Sequence, residues 1–285
     1  MMKILVTGSD GQLGRSLRKK FENDPDIEAV FTDVDTLDIT DRNALERFFS
    51  DNHFDILVNC AAYTAVDRAE SDDLMAARLN TQAVGYMAEV ASRYNVRIIH
   101  ISTDYVFSGD SSRPYVENDE PYPHSIYGRT KLEGEGILKS FCPDSVIIRT
   151  AWLYSEYGNN FVKTMHRLGK ENGAVSVVSD QIGTPTYAGD LADAIHSVVK
   201  NKEWHPGIYH FTDEGVASWY DFAIAIFELS GMKNVKVTPI NTVNFSAPAK
   251  RPQYSVLSKN KIKSTFGLSI PYWRDSLERC IKGME

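Results

Sequence analysis

Residues 3 to 21 restrict the fold more than any other stretch of this chain. Lys3-Ile4-Leu5-Val6-Thr7 is a short apolar run, and Gly8-Ser9-Asp10-Gly11-Gln12-Leu13-Gly14 follows it without a spacer. Leu13, Leu17 and Phe21 then recur at helical spacing. A strand that enters a glycine loop and leaves it as a helix is the opening of a βαβ unit. Glycine at positions 8, 11 and 14 allows a tight turn, a close backbone approach to a pyrophosphate, and close packing of helix on strand. The spacing is G-x-x-G-x-x-G and not G-x-G-x-x-G, but the physical use of each glycine is the same. Amides at the helix start face the phosphates, with the helix dipole behind them. The loop predicts a bound dinucleotide.

The same rhythm continues. Residues 28 to 32 read as a second strand that ends at Asp33, about twenty residues past the loop. A carboxylate there meets the adenosine ribose 2′-hydroxyl and repels a 2′-phosphate, which favours NAD(H) over NADP(H). Asp35 is the other candidate for that place. Asp38-Ile39-Thr40-Asp41 caps a helix through Leu45, Phe48 and Phe49. Residues 55 to 60 form a buried strand, in which Cys60 reads as a small buried hydrophobe. Ala61 and Ala62 at its carboxyl end are small enough to let a flat cofactor pass. Residues 72 to 94 read as a long helix with Asn80 at its middle. Asn80 either faces solvent or hydrogen-bonds something specific. Residues 96 to 101 and 145 to 149 are two further buried strands. This β-α alternation specifies an α/β fold, a doubly wound, Rossmann-type parallel sheet with right-handed crossovers.

Thr103 falls where the fourth strand ends, and open α/β sheets bind ligands at the carboxyl ends of their strands. After a loop rich in proline (Pro114, Pro121, Pro123) the chain can turn helical near Ser125. Tyr127 and Lys131 then share one helix face. A cation beside a phenol lowers its pKa, so Tyr127 is expected to donate a proton near neutral pH with Lys131 tuning it. Thr103 can give a second hydrogen bond to the same substrate oxygen. Tyr-x-x-x-Lys alone usually marks only a helix surface. Its weight here comes from the glycine loop and Thr103.

Beyond Thr150 the rhythm loosens. Helices are expected over 159–168, 189–199, 218–229 and 273–281, and strands over 175–178 and 207–211. This divides the 285 residues into a dinucleotide-binding domain, 1–150, and a smaller, mainly substrate-binding lobe, 151–285, with some segments returning to the sheet. The net charge of −7 argues against a nucleic-acid partner. Cys60, Cys142 and Cys280 suggest neither a disulfide framework nor a zinc site. No signal-peptide pattern and no bilayer-length apolar run is present, so the cytoplasm is the expected location, with no membrane partner.

Three motifs now stand in order: Thr7-Gly8-x-x-Gly11-x-x-Gly14, Ser102-Thr103-Asp104-Tyr105-Val106-Phe107 and Tyr127-x-x-x-Lys131. Together they resemble the extended short-chain dehydrogenases/reductases. Asn59-Cys60-Ala61-Ala62-Tyr63-Thr64-Ala65-Val66-Asp67-Arg68-Ala69-Glu70, Arg149-Thr150-Ala151-Trp152-Leu153-Tyr154 and Asp180-Gln181-Ile182-Gly183-Thr184-Pro185-Thr186 narrow this. With Arg251-Pro252-x-x-Ser255 they resemble the dTDP-4-dehydrorhamnose reductase family over essentially the whole chain.

The resemblance implies reduction of the 4-keto group of dTDP-6-deoxy-L-lyxo-4-hexulose to dTDP-L-rhamnose, with NADPH or NADH. Carried over by residue, it makes Tyr127 the acid, has Lys131 bind the nicotinamide ribose and lower the tyrosine pKa, and has Thr103 polarise the ketone. Gly11, Gln12 and Leu13 match the pyrophosphate loop, Asp38 and Ile39 the adenine contact, and Ala62, Tyr63 and Thr64 the nicotinamide side. Asp104, Tyr105 and Trp152 match sugar-facing positions, although Trp152 also fits a core aromatic after a strand. In some members magnesium bridges a homodimer through acids that include a Glu just after the third glycine. Arg15 and Ser16 stand there in this chain, which makes that metal site doubtful and leaves the homodimer open. Tyr63 stands where some members carry His. Another nucleotide-deoxysugar 4-ketoreductase or a 4-epimerase would use the same Tyr and Lys. A non-catalytic partner, like the regulatory subunit of methionine adenosyltransferase, is the alternative of a different class. Thr103, Tyr127 and Lys131 together favour an enzyme.

Overall fold

The structure, a computed structural model, describes residues 1–284. β1 (Met2–Thr7), α1 (Gln12–Phe21), β2 (Ile27–Thr32), α2 (Arg42–Asp51) and β3 (Ile56–Asn59) follow the predicted order. α2 begins where Asp41 accepts the amides of Asn43 and Ala44. α3 (Val66–Ala69), α4 (Asp73–Ala77) and α5 (Ala83–Arg93) lead to β4 (Arg97–Thr103), α6 (Ile126–Phe141) and β5 (Val146–Thr150).

A π turn over Arg78–Gln82 joins α4 to α5, and Asn80 within it is fully buried. Asn80 Oδ1 accepts the Tyr63 amide at 2.9 Å, and its Nδ2 donates to Tyr63 O at 3.1 Å and Thr130 Oγ1 at 3.2 Å. Of the two readings of Asn80, the specific hydrogen bonds are the correct one. The widened turn lets the backbone bulge while the side chain ties the loop after β3 to α6.

The second half contains β6 (Leu153–Tyr154), α7 (Phe161–Asn172), β7 (Ala174–Val178), β8 (Ile182–Gly183), β9 (Thr186–Tyr187) and α8 (Ala188–Lys200). β10 (Gly207–His210), β11 (Ala217–Ser218), α9 (Trp219–Leu229), β12 (Lys236–Ile240), α10 (Asn260–Phe266) and α11 (Trp273–Lys282) complete it. The sequence pattern does not reveal α10, a helix of seven residues that contributes one fully buried side chain, Ile262.

Six parallel strands form the main sheet in the order β10-β5-β4-β3-β1-β2. Its strands are apolar on both faces because helices cover both. Leu17 and Phe21 of α1 and Ile195 and Val198 of α8 fill one side, while Leu45, Phe49, Met87, Val90 and Leu138 fill the other. Each such side chain contributes about 1.5–3 kcal/mol on burial. A separate core of Tyr154, Phe222, Ile226, Trp273 and Leu277 holds the later segments together. The chain direction across the sheet reverses between β1 and β3, and ligands of such sheets bind outside the strand ends at that reversal. Register puts Thr7 beside Asn59 and Asn59 beside His100, with Thr103 beside Thr150 further along. No helix among the described residues is long and apolar enough to cross a membrane.

Candidate active site

A cleft of about 950 Å³ runs along the carboxyl ends of β1, β3, β4 and β5. At one end stand Asp10, Asp33, Val34, Leu37, Asp38 and Ile39, and at the other Thr103, Tyr127, Lys131, Trp152 and Arg251. Gly8, Gly11, Gln12, Leu13 and Gly14 lie along its floor with Ala61, Ala62 and Thr64. Gly8 has a φ of +66°, and a Cβ there would fall 2.6 Å from the Ala61 amide nitrogen, so no other residue fits. Gly11 caps α1 without any side-chain hydrogen bond, and the first turn of α1 carries no acid. The amides of that turn are therefore available to an anion, and the loop fits a pyrophosphate. Asp33 holds the loop in shape: its Oδ2 accepts the Asp10 amide at 3.0 Å and its Oδ1 that of Val34 at 2.8 Å.

Cys60 is partly buried: it packs against the core as expected, and it also lines the cleft, one residue past the end of β3. The surrounding protein pushes its thiol up to about 12, against the pull of Lys131, so the group stays protonated. Tyr63 turns away from the cleft. Its hydroxyl donates to Asp72 Oδ2 at 3.0 Å.

α6 begins where Ser125 Oγ accepts the Gly128 amide at 3.1 Å. A Cβ on Gly128 would lie 2.2 Å from the Tyr105 carbonyl oxygen, so glycine is needed to seat the helix against the turn that follows Thr103. Tyr127 is thereby brought to Tyr105, edge to face with ring centroids 5.5 Å apart. Thr103 Oγ1 donates to Asp104 Oδ1 at 3.0 Å and accepts the Tyr105 amide at 3.2 Å.

The pKa expectation for Tyr127 is corrected here. Burial pushes the phenol up to about 12, the Thr103 hydroxyl opposes this, and the Asp104 charge adds to it. Lys131 does not lower it, because the ammonium is aimed elsewhere: Nζ donates to Ile101 O at 2.6 Å and lies 3.4 Å from His100 Nε2. Lys131 is itself the group that moves. Burial brings it down to about 8, with Glu135 opposing. The phenol stays protonated throughout the neutral range and can act as a proton donor. Asp104 is buried, with Oδ2 lacking any partner, and burial raises its carboxyl to about 6.

Trp152 has a φ of +49°, an uncommon conformation for a bulky residue. Its indole stacks on Trp219 with centroids 3.5 Å apart and planes 10° from parallel. Gly183 leaves room for it, since a Cβ there would stand 2.6 Å from the indole. Trp219 lines the cleft and was not singled out in the sequence. Ser218 caps the helix expected there, and with Asp221 it forms a capping box that starts α9 at Trp219. Arg251 also lines the cleft, held by two hydrogen bonds to Asp67 at 2.8 and 2.7 Å. Gln12 reaches from the glycine loop to the second lobe, where its Oε1 accepts Asn160 Nδ2 at 2.9 Å and Ser155 Oγ at 3.2 Å. Arg15 donates to Asp10 O, and among the described residues no cluster of three or more His, Cys, Asp or Glu could hold a metal ion.

The chain matches the family model described as RmlD substrate binding domain over residues 2–285. It is 42% identical to the dTDP-4-dehydrorhamnose reductase of Aggregatibacter actinomycetemcomitans, across 98% of each chain. It is also 42% identical to a probable dTDP-4,6-dihydroxy-2-methyloxan-3-one 4-ketoreductase of Streptomyces antibioticus, across 97% of this chain and 93% of that one. A solved dTDP-4-dehydrorhamnose reductase of Bacillus anthracis, in complex with NADP, superposes with a TM-score of 0.94. It is 38% identical, with 99% of this chain and 100% of that one covered.

Proposed function

The chain belongs to the RmlD substrate binding domain family, a family of oxidoreductases, and from that premise we propose its reaction. It reduces the 4-keto group of dTDP-6-deoxy-L-lyxo-4-hexulose to give dTDP-L-rhamnose, using NADH or NADPH. The observation that carries this reading is the meeting of the glycine loop, Thr103, Tyr127 and Lys131 in one cleft.

The pyrophosphate would be held by the backbone of Gly8, Gly11, Gln12, Leu13 and Gly14, and the adenosine by Asp33, Asp38 and Ile39. Ala61, Ala62 and Thr64 would flank the nicotinamide, and Lys131 its ribose. When bound, the dihydronicotinamide supplies a hydride to the ketone carbon. Tyr127 donates its phenolic proton to the ketone oxygen, which becomes the product hydroxyl. With substrate bound, the Thr103 hydroxyl would turn its hydrogen from Asp104 to that oxygen, so that negative charge developing there is met from two sides. Asp104 and Tyr105 hold the sugar, and the stacked Trp152 and Trp219 form an apolar wall beside it. In this reading residues 1–150 bind the dinucleotide and residues 151–285 serve mainly the substrate.

The Streptomyces relative, equal in identity, favours a second reading in which the ketone belongs to another dTDP-deoxysugar. Purified protein incubated with dTDP-4-keto sugars and either cofactor tests both. Oxidation of the cofactor together with formation of dTDP-L-rhamnose supports the first. Preferential turnover of a different 4-keto sugar supports the second, and no turnover of any would leave a binding protein.

A further inference from the structure

Thr7, Asn59 and His100 stand side by side across β1, β3 and β4, and Lys131 reaches from α6 to the end of that row. At most 2% of each residue is exposed. Their hydrogen bonds admit one placement of protons. The Ala61 amide can only donate, and it lies 3.1 Å from Asn59 Oδ1, which also accepts the Thr7 hydroxyl at 2.7 Å. That atom is therefore the oxygen, and the other terminal atom is the nitrogen. Asn59 Nδ2 stands 2.9 Å from His100 Nδ1 and must donate to it. A neutral imidazole that accepts at Nδ1 carries its hydrogen on Nε2. That hydrogen faces Lys131 Nζ, 3.4 Å away. An ammonium has no lone pair to receive it, whereas a neutral amine has one.

We propose that His100 is a positioning residue that donates its Nε2–H to Lys131 and so holds this lysine toward the neutral amine, with Asn59 setting the tautomer. The groups facing the pair are few. Glu135, on the same helix as Lys131, favours the ammonium, and Cys60, beyond β3, is an uncharged thiol near neutral pH. Glu135 is engaged by Ser102 and by both Nε and Nη2 of Arg149. Tyr127 stands one turn away on α6, and the Ile101 carbonyl on β4 accepts from Nζ. Burial keeps His100 well below its ordinary value and therefore neutral. Near neutral pH Lys131 then gains and loses a proton readily, as a permanent ammonium would not.

The first test needs neither cofactor nor substrate. Imidazole nitrogen spectra of the full-length protein with ¹⁵N-labelled histidine, recorded between about pH 6 and 9, report each tautomer. The His100 signals are those lost in His100→Gln. A pyrrole-type Nε2 and a pyridine-type Nδ1 that do not titrate are expected. The opposite tautomer, or titration in this range, overturns the proposal.

The second test uses Asn59→Asp, which replaces the donor beside Nδ1 with an acceptor. The His100 hydrogen should move to Nδ1 and turn the Nε2 lone pair toward Lys131. The basic limb of the kcat profile should then rise by about one pH unit or more beyond that of Asn59→Asp combined with His100→Gln, which carries the same added charge. A reversed tautomer with no rise beyond the double variant would show that His100 does not govern Lys131. This kinetic arm rests on the role of Lys131 proposed above, and the spectrum does not, so the two failures are distinguishable. Where Asn59→Asp does not fold, the parent spectrum still decides.

Discussion

Gly14 packs so tightly under Gly8 that a Cβ on it would stand 2.5 Å from the Gly8 carbonyl oxygen. Gly14→Ala should therefore damage the fold with or without ligand. Gly11 is different: its φ is −72°, and a Cβ there would meet only Gly8 O, at 3.3 Å. Gly11→Val should cost on the order of 1 kcal/mol of stability, as a poor N-cap for α1, while weakening dinucleotide binding at least tenfold, on the order of 1.4 kcal/mol. Thermal melting and a fluorescence titration with NADH check the two halves. Parent affinity in the folded variant would remove the loop from the cofactor site.

Tyr127→Phe keeps the ring against Tyr105 and deletes the proton. We expect kcat to fall by roughly 10² to 10⁴, with NADH affinity close to that of the parent. Lys131→Met should lower both, since Lys131 is assigned to the ribose as well. Steady-state kinetics with parallel binding measurements separate these cases, and parent-rate turnover by Tyr127→Phe would discard the proposed acid.

Cofactor choice should favour NADH. Asp10, Asp33 and Asp38 stand at one end of the cleft, and the cations among its lining residues, Lys131 and Arg251, stand at the other. A 2′-phosphate at the acidic end would meet the carboxylates of Asp10, Asp33 and Asp38, while the nearby Arg15 and Arg78 are engaged by Asp10 O and Thr40 Oγ1. We expect a higher kcat/KM with NADH, and a smaller gap in Asp33→Asn. A clear NADPH preference in the parent would mean that the ribose lies away from Asp33.

Asp104 should make stability fall with pH. Burial raises its carboxyl from 3.8 to about 6, so between those values the folded chain binds more protons than the unfolded one. Stability is lost as pH rises through this window and stays lower above it, by on the order of 3 kcal/mol. Asp104→Asn removes the ionisation. Its melting-temperature advantage over the parent should grow from about pH 4 to about pH 7. A flat or shrinking difference would contradict a carboxylate destabilised by burial.

The order of strands and helices was legible because each strand is a local apolar run and each helix a local period. Ser125, Asp41 and Ser218 mark helix starts by the same local logic. Thr103, Tyr127 and Lys131 could be grouped from their places at strand end and helix start, which are also local. What stayed hidden depends on contacts between distant segments. Nothing near Trp152 announces a positive φ or a stacking partner in α9. The Asp67–Arg251 pair joins α3 to a segment beyond β12 with no local periodicity. The tyrosine pKa was misjudged for a similar reason. Helical spacing shows that Lys131 shares a face with Tyr127, but not that Ile101 and His100 on the neighbouring strand take its Nζ.

Gln12 has a consequence for any attempt to exchange lobes between relatives. A graft made at residue 150 would look clean along the chain, yet it would divide one hydrogen-bonded unit. The carboxamide of Gln12 belongs to the first half by sequence, while its partners Ser155 and Asn160 belong to the second, and Asn160 in turn caps α7 through the Lys163 amide. A hybrid therefore has to inherit position 12 from the donor of its second lobe. Otherwise the loop over the glycine turn arrives without its anchor, and the turn proposed to hold the pyrophosphate is left looser.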